Sequence, residues 1–143
     1  MFFVVTKKQI LLTLLLAVVI SGAILFSFSS RDKNAELCLK FIESLGYHPH
    51  GEPIEIANVD IPEGFGKVYE NYQKIQKEAG FDLTQYRGVS ITRYTFRLSD
   101  GDYTLANILI HDGKICGGDI LNPSIGGNML PLVSKDKTND SIC

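Results

Sequence analysis

The residues from Ile10 to Phe28, ILLTLLLAVVISGAILFSF, form a run of 19 with no charged side chain. At about 1.5 Å per residue, a helix of that length reaches roughly 28 Å, close to the ~30 Å hydrocarbon core of a bilayer. A helix on a soluble core keeps a polar face, and this run has none. Its only polar side chains are Thr13, Ser21 and Ser27, whose hydroxyls can bond back to helix carbonyls. The pattern predicts a transmembrane signal-anchor helix over residues 10–30, with the spanning stretch at 10–28, behind a short N-terminus, 1–9. Lys7 and Lys8 precede the run and the first acid is Asp32. The positive-inside rule therefore places the N-terminus in the cytoplasm and residues 31–143 outside, in a single-pass cell-membrane protein. The competing reading is a secretory signal cut after Ser29 and a secreted product. Such signals carry an apolar region of about 7–15 residues, and this one is longer, which favours the anchor.

The remaining residues, 31–143, hold 12 basic and all 16 acidic side chains. They suffice for one domain with its own core. An acidic surface does not neutralise phosphates, so nucleic acid is excluded as a partner.

After the polar joint Arg31–Asn34, Cys38, Phe41, Ile42 and Leu45 recur on one helical face, and Gly46 provides a stop. Tyr47–Pro53 is rich in turn formers. Ile54, Ile56 and Val59 alternate with polar residues and predict a short edge strand that Pro62 ends. A second helix is predicted over 66–79, with Phe65, Val68, Tyr69, Tyr72, Ile75, Gln76 and Ala79 as its apolar stripe. The segment 89–98, VSITRYTFRL, alternates out of phase: Val89 and Ile91 share one face, but Tyr94, Phe96 and Leu98 share the other. Either a bulge lies near Thr92 or both faces are partly covered.

Ser99–Asp102 is a turn, and Tyr103–His111 and Lys114–Leu121 form a hairpin about Asp112-Gly113, a type I′ pair. An unbroken register sets His111 against Lys114, Ile110 against Ile115, Leu109 against Cys116 and Ile108 against Gly117. Ala106, Ile108, Ile110, Ile115 and Leu121 then make the more apolar face, which is assigned to the helices. The opposite, amphipathic face is left wet or as a contact surface. Gly117-Gly118-Asp119 marks a bulge or a close backbone approach. The expected fold is α+β: beyond the transmembrane helix, two helices pack on one face of a mainly antiparallel sheet of about four strands, spanning 31–133. Asn122–Pro131 is expected as a loop and 134–143 as a disordered tail.

Three blocks, VYENYQKIQKEAGFDLTQYRG (68–88), ITRYTF (91–96) and ANILIHDGKICGGDI (106–120), together resemble a bacterial domain of unknown function numbered 4830. The order of the blocks carries the resemblance, which extends over about residues 36–130. It implies a small extracytoplasmic domain behind an N-terminal membrane segment, in a Gram-positive, mainly Firmicute, setting. The family has no assigned activity, so the resemblance transfers no functional residue.

Candidate chemistry is sparse. His111 and Cys116 share the amphipathic hairpin face, with Asn107 beside them. A Cys–His pair is the minimum for a thiol nucleophile, but diagonal Cβ atoms lie roughly 7 Å apart. Cys38 reads as a small core residue, with a Cys38–Cys116 bridge as the alternative and Cys143 on a free tail. His48 and His50 flank Pro49, and Glu52 and His111 would have to converge on them to hold a metal. Asp100-Gly101-Asp102 lacks the later ligands of a calcium loop. Arg93 and Arg97 share a face with Thr95 and are expected to pair with acids such as Glu70 or Asp82. No Walker loop, dinucleotide fingerprint, nucleophile elbow or HExxH helix occurs, and no cofactor is implied.

The function expected from these features is a membrane-anchored extracytoplasmic module that interacts or senses without catalysis. Its ligand would be a protein or another component of the cell envelope. The contact surface falls on Tyr94, Tyr103, Leu109, His111 and Cys116, or on the 122–131 loop. The rival is a small extracytoplasmic enzyme using Cys116 and His111, or a metal.

Overall fold

The computed structural model describes residues 32–101, 103–124 and 127–140, and only the backbone course of Tyr103 and of 138–140. The expected membrane segment, 10–30, and the tail before it lie outside the described residues. Among the described residues, no helix is long and apolar enough to cross a membrane.

Chain order is α1 (Lys33–Ser44), β1 (Glu55–Asp60), α2 (Lys67–Glu78), a 3-10 turn (Leu83–Tyr86), β2 (Ser90–Asp100), β3 (Tyr103–His111), β4 (Lys114–Leu121), β5 (Met129–Pro131) and α3 (Lys135–Asp140). The five strands make one sheet in sequence order, and every pair is antiparallel. The α+β class stands, with β1 at the sheet edge. The sheet gains β5 inside the expected loop. The expected tail includes α3, whose Lys135 N–H donates to Leu45 O at 2.9 Å. Docking on the end of α1 orders backbone that composition alone marks as free.

The hairpin turn is as expected: Asp112 and Gly113 have φ of 47° and 70°, the left-handed pair a type I′ turn requires. The register departs from expectation one step further on. Ile110 pairs with Ile115 and His111 with Lys114, but Leu109 pairs with Gly117 and Ile108 with Gly118. Cys116 is the extra residue of a bulge. The glycines after it answer to crowding. A Cβ on Gly118 would lie 2.5 Å from Leu132 Cδ2 and 2.6 Å from the Asn107 carbonyl oxygen.

Both faces of the sheet are covered, which resolves the phase change in β2 without a bulge near Thr92. One apolar cluster joins Cys38 and Ile42 of α1 to Tyr94, Phe96, Leu98, Ala106, Ile108, Ile110 and Ile120. The other joins Ile91, Leu109 and Cys116 to Ile61, Leu83, Tyr69 and Tyr72. The expectation of two helices on one face is therefore corrected. Alternation sends Leu109 and Ile110 to opposite sides, and each side has an apolar half to bury. The stripe expected on α2 holds at Gln76, which is buried, but Val68 is exposed and Gln73, outside the stripe, turns inward.

Candidate functional site

The two edges of the sheet are built differently. On the far side the terminal strand is the short β5, beyond β4. β5 covers the far end of β4, pairing with Asp119, Ile120 and Leu121. Where β5 stops, the Gln76 side chain from α2 takes over: its Nε2 donates to Gly118 O at 2.9 Å, and its Oε1 accepts from Gly118 N–H at 2.8 Å. A side-chain amide thus stands in for a strand residue.

Along β1 the edge is open. Among the described residues no strand lies beyond it. Alternate backbone N–H and C=O groups of such a strand point away from the sheet. Ile54, just before the strand, and Ile56 on it are 54% and 52% exposed. Pro53 and Pro62 bracket the strand. Glu52, Glu55, Asp60 and Glu63 are all exposed along it, and the stretch 52–63 contains no Lys or Arg.

Between the edges runs a polar row. Glu55, Thr95, Asn107 and Asp119 are successive cross-strand partners on β1 to β4. Thr95 Oγ1 donates to Asn107 Oδ1 at 2.8 Å, Asn107 Nδ2 donates to Asp119 Oδ1 at 2.8 Å, and Tyr72 Oη donates to Asp119 Oδ2 at 2.8 Å. Every donor in the chain points toward Asp119, which is 2% exposed. Burial pushes its carboxyl above the usual carboxylate range. The Asn107 and Tyr72 hydrogen bonds, and attraction to Arg93, pull it back only in part. Burial, and then the neighbouring Asp119 charge, raises the Tyr72 phenol, so its proton stays in place to donate. A row this enclosed offers no surface to a substrate and holds the sheet's middle strands.

The residues expected to form a contact surface do not gather on one. Leu109, at 3% exposed, and Cys116, at 4%, are buried under α2 and the 3-10 turn, and Tyr94 is buried on the other side with α1. Covering both faces removed the wet side on which they were placed. His111 is half-buried, its ring 5.4 Å from that of Tyr86. Tyr103 starts β3, and its side chain lies outside the described set.

The thiol arrangement changes as well. Cys116 Sγ donates to Leu109 O at 3.4 Å, and burial pushes the thiol up to about 11. At neutral pH it is a protonated core group, not a nucleophile. Cys38 lies in the cluster on the other side of the sheet, so the two do not face each other, and Cys143 lies outside the described residues.

The histidines of the 48–50 segment diverge. His48 Nδ1 contacts Asp100 Oδ1 at 3.0 Å, and His50 Nε2 contacts Ser99 Oγ at 2.7 Å. Among the described residues, no three His, Cys, Asp or Glu side chains converge as a metal site. The Asp100 side chain, 2% exposed, also accepts from His48 N–H at 2.7 Å and Lys135 Nζ at 2.6 Å, tying α3 to the end of β2. Arg93 pairs with Glu55 at 2.6 Å, not with Glu70 or Asp82, because β1 is its neighbour in the sheet. Asp82 instead caps the 3-10 turn through the Thr84 N–H and accepts from Gln73.

The sequence reading placed this strand at the sheet edge but put the contact surface elsewhere, although the signal was local: an alternating apolar strand between two prolines, flanked by acids.

These features define a small α+β domain on an antiparallel meander, bounded by the six-residue β1 at one edge and the three-residue β5 at the other. The chain belongs to the family described as Domain of unknown function (DUF4830), whose model matches residues 41–120, from the second half of α1 into β4. No curated protein matches the chain, and no solved structure matches it.

Proposed function

We propose that this chain is a single-pass membrane protein of a Gram-positive, Firmicute bacterium, anchored by residues 10–28 with its N-terminus in the cytoplasm. Its domain works outside the membrane as a non-catalytic interaction or sensing module. The observation that carries the contact role is the asymmetry of the sheet edges. One edge ends in the three-residue β5, while the six-residue β1 keeps outward backbone groups, of which the Asp60 carbonyl accepts from Tyr69 Oη at 3.3 Å, beside the exposed Ile54 and Ile56. An extended segment of a protein partner adds to β1 as a further strand: main-chain hydrogen bonds hold it, and Ile54 and Ile56 set its register. The rival thiol chemistry is disfavoured because Cys116 is buried and protonated. The anchor rests on the 19-residue uncharged run and the lysines before it.

A photo-crosslinking residue placed at Ile56 in the full chain tests the reading in intact cells, with Val68 on the exposed side of α2 as the control position. The expected result is a discrete protein adduct from position 56 and none from position 68. Adducts from position 68 alone would move the contact to α2, and no adduct from position 56 would overturn the strand-addition reading.

A further inference from the structure

We infer that the segment received by the β1 edge is cationic: an extended peptide in which Lys or Arg alternates with apolar side chains. This inference rests on the reading of β1 as a docking edge and adds the chemistry of its occupant. Glu52, Glu55, Asp60 and Glu63 are exposed along and just beyond the strand, and the stretch 52–63 carries no base. Among the described residues only Glu55 has a basic partner there, Arg93, which reaches it from β2 inside the sheet. A strand laid against β1 therefore runs past acids at both ends, with Ile54 and Ile56 between them.

Charge also argues against the most obvious alternative occupant, a second copy of the same edge. Two β1 strands pairing with each other would bring four exposed acids from each copy to one seam, and like charges there oppose association. The same acids that protect the edge against self-pairing select a basic partner.

The test uses the full-length chain in mild detergent and three synthetic hexapeptides: Ac-KVKVKV-NH2, its acidic counterpart Ac-EVEVEV-NH2, and the basic peptide in N-methylated form. The N-methylated control carries the methyl group at every backbone amide, because methylation at alternate amides alone would leave one edge of the peptide able to pair. Binding is read by fluorescence anisotropy, and its location by amide hydrogen exchange. The basic peptide should bind at least about tenfold more tightly than the acidic one, weaken as salt rises, and protect amides within Glu55–Asp60. Its N-methylated form should lose binding, because it cannot complete the ladder. Replacing Glu52, Asp60 and Glu63 together by Lys should invert the preference. If both unmethylated peptides bind equally and protect β1, the charge inference fails while strand addition survives. Equal binding by the N-methylated peptide overturns strand addition itself, and no binding by any peptide overturns both. Concentration-dependent dimerisation that protects β1, without peptide binding, identifies a second copy as the occupant and also overturns the inference.

Discussion

The side-chain amide of Gln76 satisfies both backbone polar groups of Gly118, accepting from its N–H and donating to its C=O. Gln76 is itself fully buried, so no water stands ready to replace it. Gln76→Ala leaves two buried groups unpaired, each costing about 1–3 kcal/mol, so a total loss of at least about 2 kcal/mol is expected. Gln76→Glu can accept from the N–H but, ionised, cannot donate to the carbonyl, and should also destabilise. Chemical denaturation measures both variants. A loss below about 0.5 kcal/mol for the alanine variant would show that this pair does not hold α2 to β4.

Gly113 and Gly118 should respond to Ala for different reasons. At Gly113 a new Cβ meets only Asn34 Oδ1, at 3.9 Å, and the cost is that of holding φ at +70°, about 1–2 kcal/mol. Gly113→Val should cost more, since a β-branched residue resists that conformation further. At Gly118 the obstacle is the Asn107 carbonyl oxygen 2.6 Å away, which is backbone and cannot swing aside. Gly118→Ala is therefore expected to lower the melting temperature more than Gly113→Ala, and the reverse order would contradict the close packing of β3 on β4.

Asp100 should make stability depend on acid. Burial alone would raise its carboxyl. The His48 N–H, the Lys135 ammonium and the His48 ring outweigh it and hold the group below the usual carboxylate range. The folded state thus favours the ionised form. Its stabilising contribution is present above the unfolded value, ~3.9, and is lost as pH falls through the lower folded value. Asp100→Asn should be less stable than the parent at neutral pH, and the gap should close on acidification. Asp119 has the opposite sign, since its raised carboxyl favours folding in the protonated form, so the difference between parent and variant is the quantity to measure. A gap that stays constant into strong acid would remove Asp100 from the account.

Burial of Cys38 and Cys116 turns thiol labelling into a topology assay. In the folded chain an impermeant maleimide should react at Cys143 and not at the two core thiols. With the proposed orientation, wall-stripped intact cells should be labelled, and Cys143→Ser should abolish the signal. Labelling only after lysis would reverse the orientation. Signal persisting in the Cys143→Ser variant would mean that a core thiol is reachable.

Much of the scaffold was legible because its signals are local. Asp112-Gly113 specifies its turn by backbone preference, and the spacing of Cys38, Phe41, Ile42 and Leu45 specifies α1. Gly117-Gly118 pointed to a bulge or a close approach; the close approach is at Gly118, and the bulge lies just before the pair, at Cys116. The contact surface was misplaced because face assignment depends on where helices dock, which no local pattern encodes. Leu109 and Ile110 are equally apolar, and both proved to be buried. β5 is three residues long, too short for alternation to register. The Gln76–Gly118 pair spans 42 positions, and nothing in either residue's neighbourhood announces the other.

Thr95, Asn107 and Asp119 also bear on how the meander chooses its alignment. Side chains alternate across a sheet, so shifting β3 by one residue would turn Asn107 toward the side packed with Phe96 and Ile120, and shifting β4 would do the same to Asp119. Either error buries an amide or a carboxyl among hydrocarbon without its partner, at a cost of roughly 2–7 kcal/mol for the neutral group. The three side chains in the middle of one face therefore work as a proofreading device during folding, penalising a hairpin that slips by one residue.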